Sequence, residues 1–530
     1  RTSWRCTRER APTPSAAVCR SWPLHAVRLT RADGTPMLRM YEFERMRRLL
    51  LQIDAWLPED SPVLFVRVTI RNPAPAEVPV YWWSNIAVPE GPGVRVVAPA
   101  DRAHHFDYTA ELRVVGFPVL DGIDRSYTDE VPRSADYFFE IPPAERRWIA
   151  ALDAEGRGLV QTSTDPLRGR KLFHWGTGAG GRRWQEWLSG PGSRYLEIQA
   201  GLARTQLEHV PMPGNTSWSW VEAYGLLEAD PDRVHGSWDE ARSAVSEALD
   251  RLIPREALDE QADDFSGEAV RLACGSGWAA LEAAAGALPE LDGLPYGEMG
   301  EEQAPWAELL ASGRLPVGDP PAAPVTGPRW RALLEAHPAD WHARYHLGLA
   351  RYADGDTEGA RTAWKESLAL RRTPWTLRCL AESLRLETDE SDGVRSEVAE
   401  LLVEACSLAP QVPELAVETL RALLAAGRPA DALALIDALP AGQRSRGRVQ
   451  LIETQAALDA GDLERAGNVL TSGIEVDNLR EGEISLDAVW FAYHERRLSG
   501  TGPVTPELAE RARRENPLPS RYDFRMQVSE

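Results

Sequence analysis

From Met37 to about Leu227, apolar residues alternate with polar ones, the pattern of strands that bury one face. Val63-Leu64-Phe65-Val66-Arg67-Val68-Thr69-Ile70 is a β-branched run that stops at the turn signal Arg71-Asn72-Pro73. Further strands are predicted from Val80 to Ile86, Val94 to Val97, Trp148 to Leu152, Gly158 to Ser163, Lys171 to Trp175, Tyr195 to Ala200, Thr205 to Val210 and Ser217 to Leu226. Many short strands without helices between them argue for an antiparallel sandwich or barrel.

The period changes near Ala229. Ala241, Val245, Ala248 and Leu252 recur at helical spacing between Trp238 and Leu252, and Ser266 to Ala287 reads as a second helical segment. Pro295 to Pro328 is rich in Pro and Gly and reads as a linker, with one helical turn from Trp306 to Leu310. Beyond Trp330 a repeat sets in. Asp354-Gly355-Asp356, Ala426-Gly427-Arg428 and Ala460-Gly461-Asp462 precede Ala360, Ala432 and Ala466, and Gly427 lies 34 residues before Gly461. That period marks a helix–turn–helix solenoid. Leu347-Gly348, Gly355, Ala360 and Trp364 resemble the tetratricopeptide consensus, with Arg372 standing where its late proline falls. The expected organisation is a leader (1–26), a β-sandwich (27–228), a helical segment (229–294), a linker (295–329), a solenoid (330–502) and a cap with a tail (503–530).

Composition narrows the class. A net charge of −21 argues against nucleic acid, which requires clustered Lys and Arg. Of 59 basic residues only Lys171 and Lys365 are lysines, a bias that fits GC-rich coding. Cys6, Cys19, Cys274, Cys379 and Cys406 form no CxxC pair, so they read as thiols in a reducing compartment, and the expected location is cytoplasmic. No apolar run approaches the ~20 residues of a membrane span. Residues 1–26 are Arg- and Pro-rich, begin with Arg1 and read as a disordered leader or a misread frame.

Candidate chemistry centres on Tyr81 to Tyr224. Strand alternation puts Tyr195, Glu197 and Gln199 on one face, and Trp218, Trp220, Glu222 and Tyr224 on one face. Aromatic rings beside carboxylates and amides suit a sugar, with its apolar C–H faces and rim of hydroxyls. Glu186, Glu197, Glu208 and Glu222, each on its own predicted strand, are the candidate acids and bases. Trp82, Asn85, Trp184, Gln199, Gln206 and Trp220 are the candidate binding residues. If the last strands pair sequentially, Glu197, Gln199, Gln206, Glu208, Trp220 and Glu222 share one concave face. The competing reading of that face is solvent exposure with polar-out alternation.

Three weaker signals have bland readings. Gly176-Thr177-Gly178-Ala179-Gly180-Gly181 matches GxGxxG, but Arg182-Arg183-Trp184-Gln185-Glu186-Trp187 alternates like a strand, so a hairpin loop is expected and no dinucleotide or other cofactor. His342 and His346 stand four apart, but Ala343 replaces the Glu of a zinc-protease helix, so no metal is expected. Asp101, His104, His105 and Asp107 form a polar cluster, read as a solvated loop with binding as the alternative.

Tyr81-Trp82-Trp83-Ser84-Asn85-Ile86-Ala87-Val88-Pro89-Glu90, Trp175-Gly176-Thr177-Gly178, Trp184-Gln185-Glu186-Trp187-Leu188 and Tyr195-Leu196-Glu197-Ile198-Gln199-Ala200-Gly201 resemble a bacterial family of unknown function, the DUF5107 domain. Leu202 to His209 continue the resemblance, which spans roughly Pro36 to Leu227. It implies a galactose-mutarotase-type β-supersandwich followed by tetratricopeptide repeats, with the domain's N-terminal part missing and a strand edge exposed there. The expected function is carbohydrate binding, with glycoside hydrolysis or sugar epimerisation if two of the glutamates act together. A partner protein would bind the repeats. The alternative is a non-catalytic scaffold that recruits such a partner; the fold alone does not decide.

Overall fold

The computed structural model describes residues 24–526 except 109–110, 262–264, 290, 292, 338, 387–390, 481–484 and 501. The expected leader therefore lies, up to residue 23, outside the described residues, as do Cys6 and Cys19. The chain divides into two compact units, residues 1–307 with 526–530, and residues 308–525.

The first unit is a two-sheet antiparallel sandwich. Among the described residues its larger sheet has nine strands. Their spatial order is Ser266–Ala273, His25–Thr30, Pro36–Glu44, Leu49–Trp56, Val63–Asn72, Thr216–Glu228, Arg157–Ser163, Arg147–Leu152 and Arg95–Val97. The smaller sheet has six, in the order Trp83–Pro89, Tyr195–Gly201, Gly169–His174, Ala135–Phe139, Arg102–Phe106 and Arg113–Gly116. Alternation explains the packing. Val68, Ile70 and Trp220 of the larger sheet meet Trp82 and Ala200. Further along, Val96, Ile149 and Ala151 meet Tyr137, Leu172, Leu196 and Ile198 of the smaller sheet.

One predicted helix is corrected. Ser266 to Ala273 is a strand paired antiparallel with His25–Thr30, and only Trp278–Ala284 of that stretch is helical. His25–Thr30 offers an open edge of backbone donors and acceptors, and a segment over 200 residues away satisfies it. No local pattern reports such a partner. The Pro-rich stretch carries a helix at Ala304–Ser312, longer than the single turn expected.

The second unit is helical, and the repeat reading holds. Trp341–Ala353 packs on Thr357–Leu370, Pro374–Arg385 on Asp392–Leu408, and Gly447–Ala460 on Leu463–Ser472. Gly355, Gly427 and Gly461 hold φ of +84°, +68° and +79° at the helix ends, where a left-handed residue ends a helix without strain only if it lacks a Cβ. Ala360, Ala432 and Ala466 are wholly buried. Asp356 and Asp462 cap the following helices by accepting from Gly359 N and Arg465 N. A Cβ at Gly348 would lie 2.2 Å from Trp364 Nε1, so this glycine lets the two helices close on the indole. Gly348→Val is therefore expected to destabilise the helical unit by about 2 kcal/mol or more through overpacking. Gly355→Ala, at an open site, should lose only ~1 kcal/mol through backbone strain. Thermal melts of the two variants followed by far-ultraviolet circular dichroism check this ranking.

Among the described residues no helix is long and apolar enough to cross a membrane.

Candidate functional site

The outer face of the six-stranded sheet, turned away from the larger sheet, carries a continuous row of polar side chains. The register places Asn85 opposite Gln199, and Gln199 opposite Lys171, on three neighbouring strands. Asn85 Nδ2 donates to Glu197 Oε2 at 2.8 Å, and Gln199 Nε2 donates to the same oxygen at 2.9 Å. Gln206 comes from the segment after the strand Tyr195–Gly201. Its Nε2 donates to Gln199 Oε1 at 2.5 Å, and its Oε1 accepts from Lys171 Nζ at 2.6 Å. Lys171 Nζ also pairs with Asp136 Oδ1 at 2.6 Å. Glu197, Gln199 and Lys171 are only 4%, 2% and 3% exposed. Asn85 Oδ1 is buried and has no hydrogen-bond partner among the described residues.

Rings flank this row. Lys171 Nζ lies 5.2 Å from the Phe138 ring and 5.4 Å from the Phe173 ring, favourable for a cation. Trp83 meets Phe138 edge-on at 5.9 Å. Its indole lies across Gly201, where a Cβ would fall 2.3 Å from the ring, so only glycine fits under it. Beyond Phe173, Trp175 stacks on Trp184 at 5.9 Å and meets Tyr195 edge-on at 6.0 Å.

Glu222 sits on the other side of this sheet, inside the sandwich. Tyr224 OH and Ser84 Oγ donate to its Oε2 at 2.6 and 2.7 Å, and Gln161 Nε2 does so at 3.1 Å. Trp220 Nε1 donates to Oε1 at 3.1 Å. Ser84 belongs to the smaller sheet and the other three to the larger, so the carboxylate ties the sheets together. Its negative charge also faces the fully buried Arg170, whose pKa burial lowers to about 10, still high enough to stay charged at neutral pH. The Tyr224 hydroxyl is pushed well up by burial and by the neighbouring carboxylate.

The single concave face expected for Glu197, Gln199, Gln206, Glu208, Trp220 and Glu222 is thus divided. Asn85, Glu197, Gln199 and Gln206 come together; Trp220 and Glu222 keep a common face but belong to the interior. Trp220 meets Trp82 edge-on at 5.4 Å, and both are core residues, 2% and 6% exposed. Glu208 is half-buried in a segment without strand pairing and accepts from Thr205 Oγ1 at 3.2 Å. The strand expected from Thr205 to Val210 is absent; the strand there is Val210–Met212.

Glu186 and Trp184 are corrected as well. Ala179–Ser189 is a helix, not a hairpin and strand. Glycine makes it possible: a Cβ at Gly181 would lie 2.0 Å from Trp175 O, and Gly176, at φ +76°, has room for none. Trp184 at 1% exposure is packing on Trp175 rather than an open platform. The flanking strands Gly169–His174 and Tyr195–Gly201 pair antiparallel, so the GxGxxG run does not belong to a βαβ unit.

His104 and His105 lie in the strand Arg102–Phe106, not in a loop. His104 Nε2 is 3.2 Å from Glu140 Oε1, and Asp107 pairs with Arg113 at 3.6 Å. Asp101 pairs with Arg242 at 2.8 Å. His105 faces the core, where its ring lies 4.7 Å from Tyr137, which in turn stacks on His174 at 6.0 Å. Burial lowers the pKa of His105 to about 4 and that of His174 to about 3, and it raises Tyr137 to about 12. His342 and His346 are wholly buried in the helical unit with their Nε2 atoms 3.0 Å apart.

Lys171, Asp136, Phe138 and Phe173 were missed by sequence reasoning. One signal was available: a lysine in a chain that otherwise uses arginine almost throughout.

The family model described as "Domain of unknown function (DUF5107)" matches residues 14–216. A TPR-domain containing protein from Parabacteroides distasonis ATCC 8503 has a similar solved structure at 16% identity, with a TM-score of 0.60, 91% of this chain and 76% of that chain covered. A galactose mutarotase-like protein from Clostridium acetobutylicum matches at 11% identity and a TM-score of 0.30, over 39% of this chain and 66% of that chain. A putative aldose 1-epimerase from Escherichia coli K12 matches at 11% identity and a TM-score of 0.29, over 39% and 68%. Residues 14–216 therefore match the DUF5107 family model, and the fold of the chain is similar to that of a TPR-domain containing protein.

Proposed function

We propose that the protein binds a carbohydrate on the outer face of the six-stranded sheet and a partner protein through its helical repeats. The observation that carries the sugar reading is the row Asn85–Glu197–Gln199–Gln206–Lys171–Asp136 between aromatic flanks. Carboxylate, amide and ammonium groups in one line offer alternating acceptors and donors at hydroxyl spacing. Phe138, Phe173 and Trp83 wall the row at 2%, 0% and 8% exposure, so they meet ring C–H groups when the segment lying over the row moves aside.

Binding is supported further than turnover. Glycoside hydrolysis needs an acid and a base on either side of the bond. Of the four glutamates first considered, only Glu197 lies in the row, and the second carboxylate there, Asp136, is committed to Lys171. Glu197 is the base we would assign if the protein epimerises or hydrolyses a sugar. The non-catalytic scaffold is the second reading, favoured by that same shortage of a second acid.

A glycan array followed by titration calorimetry on the strongest ligand tests the proposal. Glu197→Gln is expected to weaken binding about tenfold, since a hydrogen bond to a charged group contributes ~1.5 kcal/mol or more. The fold should persist. An array with no ligand, or an E197Q protein with unchanged affinity, would remove the sugar site from this face.

A further inference from the structure

Gln206 holds a position that a ligand would need. Its carboxamide stands between two groups of neighbouring strands, accepting from Lys171 Nζ and donating to Gln199 Oε1. Lys171 and Gln199 face each other in the register, so their polar ends offer one donor and one acceptor side by side. Strand-borne side chains with charged or amide partners are fixed. Gln206 is not strand-borne. It hangs from the segment between Gly201 and Val210, which lacks regular structure. Leu202 anchors the start of that segment, its N donating to Trp82 O at 3.2 Å and its O accepting from Arg168 Nε at 3.0 Å, and the His209 ring lies 5.4 Å from Tyr81 at the far end. Between these anchors Thr205 Oγ1 bonds to Glu208 and to Leu207 N, and Gln206 reaches the sheet through its carboxamide.

We propose that Gln206 is a displaceable placeholder for a vicinal diol of the sugar, and that the 204–209 segment leaves the sheet when the ligand enters. This rests on the carbohydrate reading above and goes beyond it in naming the ligand group and the sign of the Gln206 effect. Adjacent hydroxyls reproduce what the carboxamide does. One oxygen accepts from the Lys171 ammonium, and its neighbour's O–H donates to Gln199 Oε1. A primary amide can present its oxygen and a hydrogen toward the same side. The secondary amide of an acetamido sugar cannot, because its trans geometry points C=O and N–H in opposite directions. A carboxylate or phosphate brings acceptors only and leaves Gln199 Oε1 facing an anion. Asn85 adds to that bias. Its Nδ2 is committed to Glu197, which fixes the amide orientation and leaves buried Oδ1 as another acceptor aligned with the carboxylate. The row therefore asks for hydroxyl donors and selects a neutral sugar with a free diol.

Titration of the full chain and of Gln206→Ala with D-glucose, D-galactose, methyl 3-O-methyl-D-glucopyranoside and methyl 3-O-methyl-D-galactopyranoside, the last two lacking adjacent free hydroxyls, by saturation-transfer NMR and calorimetry, tests this. The expected result is that Q206A binds a neutral hexose roughly 5- to 10-fold more tightly than the unchanged protein, because the competing amide is gone. Gln199→Leu should abolish the binding. The two 3-O-methyl glycosides should bind more weakly than the hexoses in both proteins. A hexose that binds the unchanged protein but binds Q206A more weakly makes Gln206 an ordinary contact and overturns the placeholder while leaving the sugar site standing. Equal or preferred binding of the 3-O-methyl glycosides overturns the diol assignment. Failure of all four sugars with both proteins overturns the carbohydrate reading and this inference with it.

Discussion

Replacing Glu222 with alanine is expected to cost the β-sheet unit about 4 kcal/mol or more, enough to unfold a domain of ordinary stability. The carboxylate is 1% exposed and receives hydrogen bonds from Ser84, Gln161, Trp220 and Tyr224. Alanine takes this acceptor from Gln161, Trp220 and Tyr224, while Ser84 Oγ keeps Ala200 O at 3.4 Å, and each buried orphan costs ~1–3 kcal/mol. It also removes the anion facing Arg170, whose guanidinium is otherwise held by Leu167 O, Gly169 O, Arg147 O and Ser163 Oγ. Removing a buried counter-charge leaves the guanidinium less compensated, which adds to the cost. Glu222→Gln keeps one acceptor oxygen but turns an amide N–H₂ toward donors, so an intermediate loss of ~2 kcal/mol is expected. Glu197→Gln should differ in kind, with stability nearly unchanged, because Gln retains an oxygen for Asn85 and Gln199 on the outer face. Urea unfolding followed by tryptophan emission separates the cases. Equal midpoints for E222A and E197Q would show that the inter-sheet contact through Ser84 does not hold the sheets together.

The contrast between those two glutamates shows what the chain reveals by itself. Alternation reads correctly along one strand: Trp218, Trp220, Glu222 and Tyr224 share a face, and so do Glu197 and Gln199. Period two does not say which side of which sheet that face is. Tyr195–Gly201 and Thr216–Glu228 are separated in sequence by the short strand Val210–Met212 and belong to different sheets, so sequential pairing failed and the candidate face divided. The Arg182–Trp187 stretch alternates over too few residues to separate strand from helix. What decides is Trp184 stacking on Trp175 and the glycines that let the helix approach. The repeat unit was legible because its determinants are local and recur: a left-handed glycine, an Asp cap and a buried alanine at one spacing. Lys171 and Asp136 were not legible, since their meeting depends on the pairing of Gly169–His174 with Ala135–Phe139 across a gap of 29 residues.

Acidification should destabilise the β-sheet unit from pH 6.5 downward, and His174 should account for the larger share. Both ring nitrogens of His174 are buried without a partner among the described residues, as are His105 Nδ1 and Tyr137 OH. The rings sit in an apolar cluster with Phe117, Phe139 and Leu172, so the neutral imidazole is the form that folds. The charges nearest this ladder are Arg125, Asp107, Asp121 and Arg113; Arg125 opposes protonation of both histidines. An unfolded histidine titrates near 6.5. Above that pH both states are neutral and the linkage contributes nothing. Below it the unfolded chain binds protons that the folded chain refuses until about pH 4 at His105 and about pH 3 at His174. Stability therefore falls through that window, by up to ~1.4 kcal/mol per pH unit for each histidine. His174→Leu keeps the volume roughly constant and sacrifices no hydrogen bond, so it should cost little at pH 7.5 and leave the protein more stable than the unchanged chain at pH 5. The helical unit carries its own buried pair, His342 and His346, so the readout must be local. Hydrogen exchange of peptides covering Ala135–Phe139 and Gly169–His174, measured at several pH values with corrected intrinsic rates, provides it. Protection of those strands should fall less steeply with acid in H174L than in the unchanged protein. Parallel slopes in the two proteins would mean that His174 is not what the acid attacks.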